Sequence, residues 1–139
     1  MNPILKNVLA VIAGMVVGSL VNFGLILLGD IIISSPEGVN ASDMESLKAN
    51  IHLFGAKDFI FPFLAHALGT FVGALVTIKL AVSHHFKLAL GLGTCFLLGG
   101  IAMAVSLPAP LWFEALDLLV AYLPMSWLAG KILKKDHFA

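Results

Sequence analysis

Residues 59–73 read FIFPFLAHALGTFVG. The stretch opens an apolar run that reaches residue 81 with Lys79 as its only formal charge. A bilayer hydrocarbon core of about 30 Å needs about 20 helical residues, so this run is long enough to cross one. A single ionisable group, His66, stands in its middle, and Pro62 lies four residues before it. The run settles the environment of the chain, and His66 raises the question of a site.

The rest of the chain carries the same message. Of 139 residues, 60% are hydrophobic and 12% charged, against roughly 45–50% and about 25% in soluble domains. A chain this short has too little interior to hide so much apolar side chain. The surplus must face lipid. Segments of the required length lie at about 6–33, 59–81, 87–107 and 111–132. The expected fold is an all-α, four-helix transmembrane bundle forming one integral membrane domain over 1–139. The first run is too long for a signal-peptide core of about 7–15 residues, and no small-residue cleavage site follows promptly, so it reads as a retained span.

The links differ in character. VSHHF (82–86) and PAP (108–110) are tight turns, which makes the last three spans antiparallel neighbours. Ser83 is the expected N-cap of the third span, and Pro108 and Pro110 enforce the last hairpin. The long link, 34–58, begins with the turn residues SSPEGVN. In SDME, Ser42 and Glu45 read as a capping box. Met44, Leu47, Ile51 and Phe54 follow at helical spacing, giving a short amphipathic helix over about 43–54. Such a helix lies on the membrane surface or the bundle, or covers a site.

Lysine sets the direction of the spans. Lys6, Lys79, Lys87, Lys131, Lys134 and Lys135 mark one side, with Asp136 against them. Asp30, Glu37, Asp43, Glu45, Asp58, Glu114 and Asp117 mark the other, with Lys48 and Lys57. Both termini are expected in the cytoplasm and the long link outside. Trp112 and Trp127 flank the fourth span as interface anchors.

Helices in lipid associate by close packing, which favours small residues at every fourth position. Ala10, Gly14, Gly18 and Asn22 form one such seam, Ala65, Gly69, Gly73 and Thr77 a second, and Gly91, Cys95 and Gly99 a third. They suit a tight monomer, a homo-oligomer or a membrane-protein partner equally. Polar groups share these faces: His66, Thr70 and Thr77 on the second span, Glu114 and Asp117 on the fourth, Asn22 on the first. At about 1.5 Å per residue, His66 lies roughly 10 Å below Phe59, Asp117 roughly 9 Å below Leu111, and Asn22 roughly 12 Å from Asp30. Equal depth predicts that His66 pairs with Asp117 or Glu114, with Asn22 nearby.

Such a pair fits several roles. It can be a polar clasp fixing helix register, a proton relay, or part of a cation site in which His66, Asp117 and Glu114 would be the metal ligands. A general base is a further option, but no serine or cysteine is placed as its nucleophile, so an enzyme ranks last. Glu114 and Asp117 also suit the positive start of the fourth helix. His84 and His85 read as a solvated turn, and Cys95 as a small packing residue. Pro124 leaves the Val120 carbonyl without its helical donor, and Tyr122, near mid-membrane, needs a partner for its hydroxyl. The residues name no cofactor. Net charge is zero, which argues against nucleic acid as a partner.

Through FIFPFLAHALGT, LPAPLWFEALDLLVAY and PMSWLAG the chain resembles a set of small four-span bacterial membrane proteins. The resemblance covers the whole chain. It implies a protein of the bacterial cytoplasmic (inner) membrane and brings no activity, cofactor or catalytic residue. The small multidrug transporters differ, since they carry an essential glutamate in the first helix, where this chain has Asn22 and Asp30. The expectation is a non-enzymatic accessory or scaffold component of a membrane assembly. The alternative is a small transporter or an ion- or proton-binding protein that works through His66 with Asp117 or Glu114.

Overall fold

The structure, a computed structural model, describes residues 1–133. Those residues are all-helical, with no strand among them. Helix α1 is Pro3–Ile32, α2 Met44–Asn50, α3 Ile60–Leu80, α4 His85–Ser106, α5 Leu111–Val120 and α6 Leu123–Leu133. Two 3-10 turns, Ile51–Leu53 and Ala56–Phe59, join α2 to α3. Four segments are long and apolar enough to cross a membrane: Pro3–Ile32, Ala56–Leu80, His85–Ser106 and Leu111–Leu133. Their outer faces carry exposed large apolar side chains such as Leu20, Phe23, Leu98, Val105 and Leu119, the surface expected to meet lipid.

Pro62 does not interrupt its helix. It stands third in α3, within the first turn, where the backbone N–H groups have no intrahelical acceptor. Pro3 opens α1 in the same way, and the Asn2 side chain accepts from the Ile4 amide at 2.8 Å.

Helices α1 and α3 form the most extensive pair in the bundle. Their glycines let the two backbones meet. A Cβ on Gly18 would stand 2.6 Å from the Gly69 carbonyl oxygen, and one on Gly73 would stand 2.6 Å from that of Gly14. The first two expected seams thus pack on one another. Thr77 closes the line by donating to the Ala10 carbonyl at 3.3 Å. Beside this pair, α3, α4 and α6 enclose the apolar cluster Ala74, Ile78, Ala89, Leu92 and Ala129. Asn7 ties α1 to the α3–α4 turn, accepting from the Val82 amide at 3.0 Å and donating to Ser83 Oγ at 2.9 Å.

The third expected seam is displaced. Nothing lies within 4 Å of a Cβ built on Gly91 or Gly99, and Cys95 is exposed. The packed face of α4 is the neighbouring one, where Gly93 receives Ser126 and Gly100 receives the Tyr122 ring. Both faces are rich in small residues, and the bulky partners on the fourth span decide between them.

Several local expectations are corrected. Asp43, not Ser42, caps α2, its side chain accepting from the Glu45 amide at 3.3 Å. The expected link helix itself is present over 44–53, with its last turn, Ile51–Leu53, tightened to 3-10. Ser83 does not cap α4. The N-cap is His84, in the left-handed region at φ 53° and without a side-chain cap bond, because the Ser83 hydroxyl is engaged by Asn7. His85 is buried rather than solvated: its Nδ1–H donates to the Ile78 carbonyl at 3.0 Å and staples the turn. The fourth span breaks at residues 121–122, as the missing N–H of Pro124 requires. Lys134, Lys135 and Asp136, which entered the charge count, lie outside the described residues.

Candidate functional site

Three helical segments bring the polar residues to one place. His66 projects from the middle of α3 and Asp117 from α5. The ring nitrogen Nδ1 lies 2.8 Å from one carboxylate oxygen of Asp117 and 2.9 Å from the other. Where Asp117 is ionised it only accepts, and the ring proton then sits on Nδ1, shared between the two oxygens. Asp117 is 5% exposed. Its second donor is the Tyr122 hydroxyl, 3.2 Å from Oδ2. The Tyr122 ring also stacks on the imidazole, with centroids 5.8 Å apart.

The break in the fourth span makes this convergence possible. Residues five apart on an unbroken helix point about 140° away from each other. Between α5 and α6 the ladder is interrupted: Ala121 still donates to the Asp117 carbonyl, and the next bond across the turn is Ser126 to Tyr122. Tyr122 is thereby turned back toward Asp117, with its ring lying on Gly100 of α4.

The group forms one wall of a cavity of about 240 Å³. All four expected site residues, Asn22, His66, Glu114 and Asp117, line it. Gly18 and Ser19 of α1, Thr70 of α3 and Phe96, Gly99 and Met103 of α4 are also on the wall. Phe113 joins the cavity to the long link, for it packs with Ile51 and Phe59 in a separate apolar cluster. The link therefore rests on the bundle beside the cavity through its two 3-10 turns. The exposed wall residues include Ser19 on α1 and Gly99 and Met103 on α4. The cavity thus opens between α1 and α4, which touch far less than α1 and α3 do.

Within the cavity, hydrogen bonding is incomplete. Asn22 Oδ1 and Thr70 Oγ1 are buried without a partner, and Thr70 is only 1% exposed. Buried polar atoms are nearly always satisfied, so each orphan calls for an explanation. Glu114 stands one turn from Asp117 and does not join the His66 pair; among the described residues its carboxylate has no hydrogen-bond or ion-pair partner. Among the same residues no group of three or more His, Cys, Asp and Glu side chains is placed to hold a metal ion. A site with His66, Asp117 and Glu114 as joint ligands is not formed.

Sequence reasoning placed the pair and its neighbour Asn22, and it gave Tyr122 a need without a partner. It missed Gly100 and the two aromatic walls, Phe96 and Phe113. Gly100 had a signal, since it follows Gly93 by two helical turns. Comparisons with protein-family models, with curated proteins and with solved structures find no match to this chain.

Proposed function

We propose that the protein binds a small ligand inside the membrane, as a small transporter does, and that the His66–Asp117–Tyr122 group is the polar wall of its site. The observation that carries this reading is the cavity itself, about 240 Å³, which that group lines together with Asn22, Thr70 and Glu114. With Nδ1 held by Asp117, Nε2 is the ring nitrogen left to accept a hydrogen bond or a proton from the occupant. An apolar cavity with a few convergent polar groups is the usual form of a ligand site.

A second reading keeps the protein as an accessory or scaffold component. The observation in its favour is the open face Gly91, Cys95 and Gly99 of α4, where a helix of another chain or copy could seat closely. Native mass spectrometry from mild detergent separates the two. Binding predicts a small adduct on the wild type that is lost when His66 and Asp117 are both changed to Leu. A stoichiometric protein partner with no small adduct would reverse the order.

The resemblance to small four-span bacterial membrane proteins supports a place in the cytoplasmic membrane, and the lysine distribution supports cytoplasmic termini. Lys48, in α2, is the reporter. In a Cys95→Ser background, Lys48→Cys is expected to react with an impermeant maleimide added outside intact cells. Labelling only after permeabilisation would invert the topology.

A further inference from the structure

The cavity's chemistry names a ligand class, and this step rests on the ligand-binding reading above. Its polar wall carries several acceptors. Glu114 brings an unpaired carboxylate, Asn22 an unpartnered carbonyl oxygen, and His66 the ring nitrogen that Asp117 leaves over. Thr70 adds a hydroxyl, 1% exposed and without a partner, that can turn to suit. Among the described residues no Lys or Arg lines the cavity. An anion would find two carboxylates and no cation. Calcium or magnesium is poorly served as well, because it asks for about six close oxygens or more and the described residues form no group of three or more His, Cys, Asp and Glu side chains. The remaining wall is apolar and aromatic, with Phe96 and Phe113. Aromatic faces attract ammonium groups, and apolar walls accept hydrocarbon. The volume of about 240 Å³ lies below the roughly 300–1,000 Å³ of sites for drug-sized ligands.

We infer that the site takes a small organic ammonium ion with an apolar body, and that Glu114 is its charge anchor. The ammonium donates to the Glu114 carboxylate, while the body lies against Phe96.

The test uses the full chain in nanodiscs and three probes of one shape: phenethylammonium, phenethyl alcohol and phenylacetate. Saturable binding is read by ligand-observed NMR. The expected result is binding of the ammonium, weakened by about tenfold or more in Glu114→Gln, with the melting temperature of the unliganded variant unchanged. Gly99→Phe separates cavity binding from bilayer partition. Gly99 is exposed at the cavity mouth and its Cβ meets nothing within 4 Å, so a ring there is accommodated without displacing a helix and narrows the opening, and saturable binding of the ammonium is expected to weaken. If the alcohol binds as tightly as the ammonium and Glu114→Gln changes nothing, the ammonium assignment is overturned while the ligand site stands. If phenylacetate is preferred, the assignment is overturned by sign. If no probe binds saturably and the wild type also carries no native small adduct, both readings fall.

Discussion

Changing His66 to Leu alone is expected to destabilise the protein more than changing His66 and Asp117 to Leu together. In the single variant Asp117 keeps its place, 5% exposed, and loses the ring N–H that both of its oxygens share. Leaving a buried polar group without its partner costs about 1–3 kcal/mol, and more for a charged one, whereas replacing both partners by apolar groups can be close to neutral. The Tyr122 hydroxyl, 3.2 Å away, softens the single change. It becomes the orphan in the double one, at about 1–3 kcal/mol. Adding Tyr122→Phe to the double variant should therefore recover stability. Thermal unfolding followed by the fluorescence of Trp112 and Trp127 reads the series. A double variant weaker than His66→Leu would show that Asp117 is held by something other than the histidine.

Gly69→Val is the second change with a large expected effect. A Cβ there stands 2.8 Å from the Gly18 carbonyl oxygen and 3.1 Å from Asn22 Cβ. The first obstacle is backbone and cannot rotate away, so α1 must part from α3 along the face that gives the bundle its largest contact. Overpacking a tight interior costs about 1–3 kcal/mol, and a collision between two backbones belongs at the upper end. Gly24→Ala is the control. It sits on the same helix as Gly18 with nothing within 4 Å of its Cβ, and a change of no more than about 0.5 kcal/mol is expected. Equal loss in both variants would mean that α1 is sensitive to any side chain, and that the Gly18–Gly69 approach is not what holds it.

Spans, seams and pairing were legible because lipid allows few solutions. An apolar run of the right length has to be a helix, a buried ion needs a counterpart, and depth is arithmetic on residue number. His66 and Asp117 could be matched on those grounds alone. The choice between Asp117 and Glu114 could not, because both lie near one face of α5 and only the rotation of the helix selects between them. The packed face of α4 was illegible for a similar reason. Gly91, Cys95 and Gly99 look like a seam, yet the bulk of Tyr122 and Ser126 on the fourth span engages Gly100 and Gly93 instead. Turn details failed through competition for donors: Ser83 had a capping hydroxyl, but Asn7, 76 residues earlier, claimed it.

The opening between α1 and α4 has a bearing on how any occupant arrives. Ser19 is exposed there near mid-length of α1, with Gly99 of α4 exposed opposite it, at a depth of the spanning helices where the adjoining phase is hydrocarbon. The bilayer is then the reservoir from which the cavity fills, and a solute must dissolve in it first. Each added methylene enriches a solute in such a phase by about 0.8 kcal/mol, roughly fourfold in concentration. Within a series of alkyl chains, apparent affinity would climb by that factor per carbon even if the wall of the cavity added nothing. Selectivity at this site is therefore meaningful only against the concentration dissolved in the membrane, and two compounds equal in water can differ by orders of magnitude at the door.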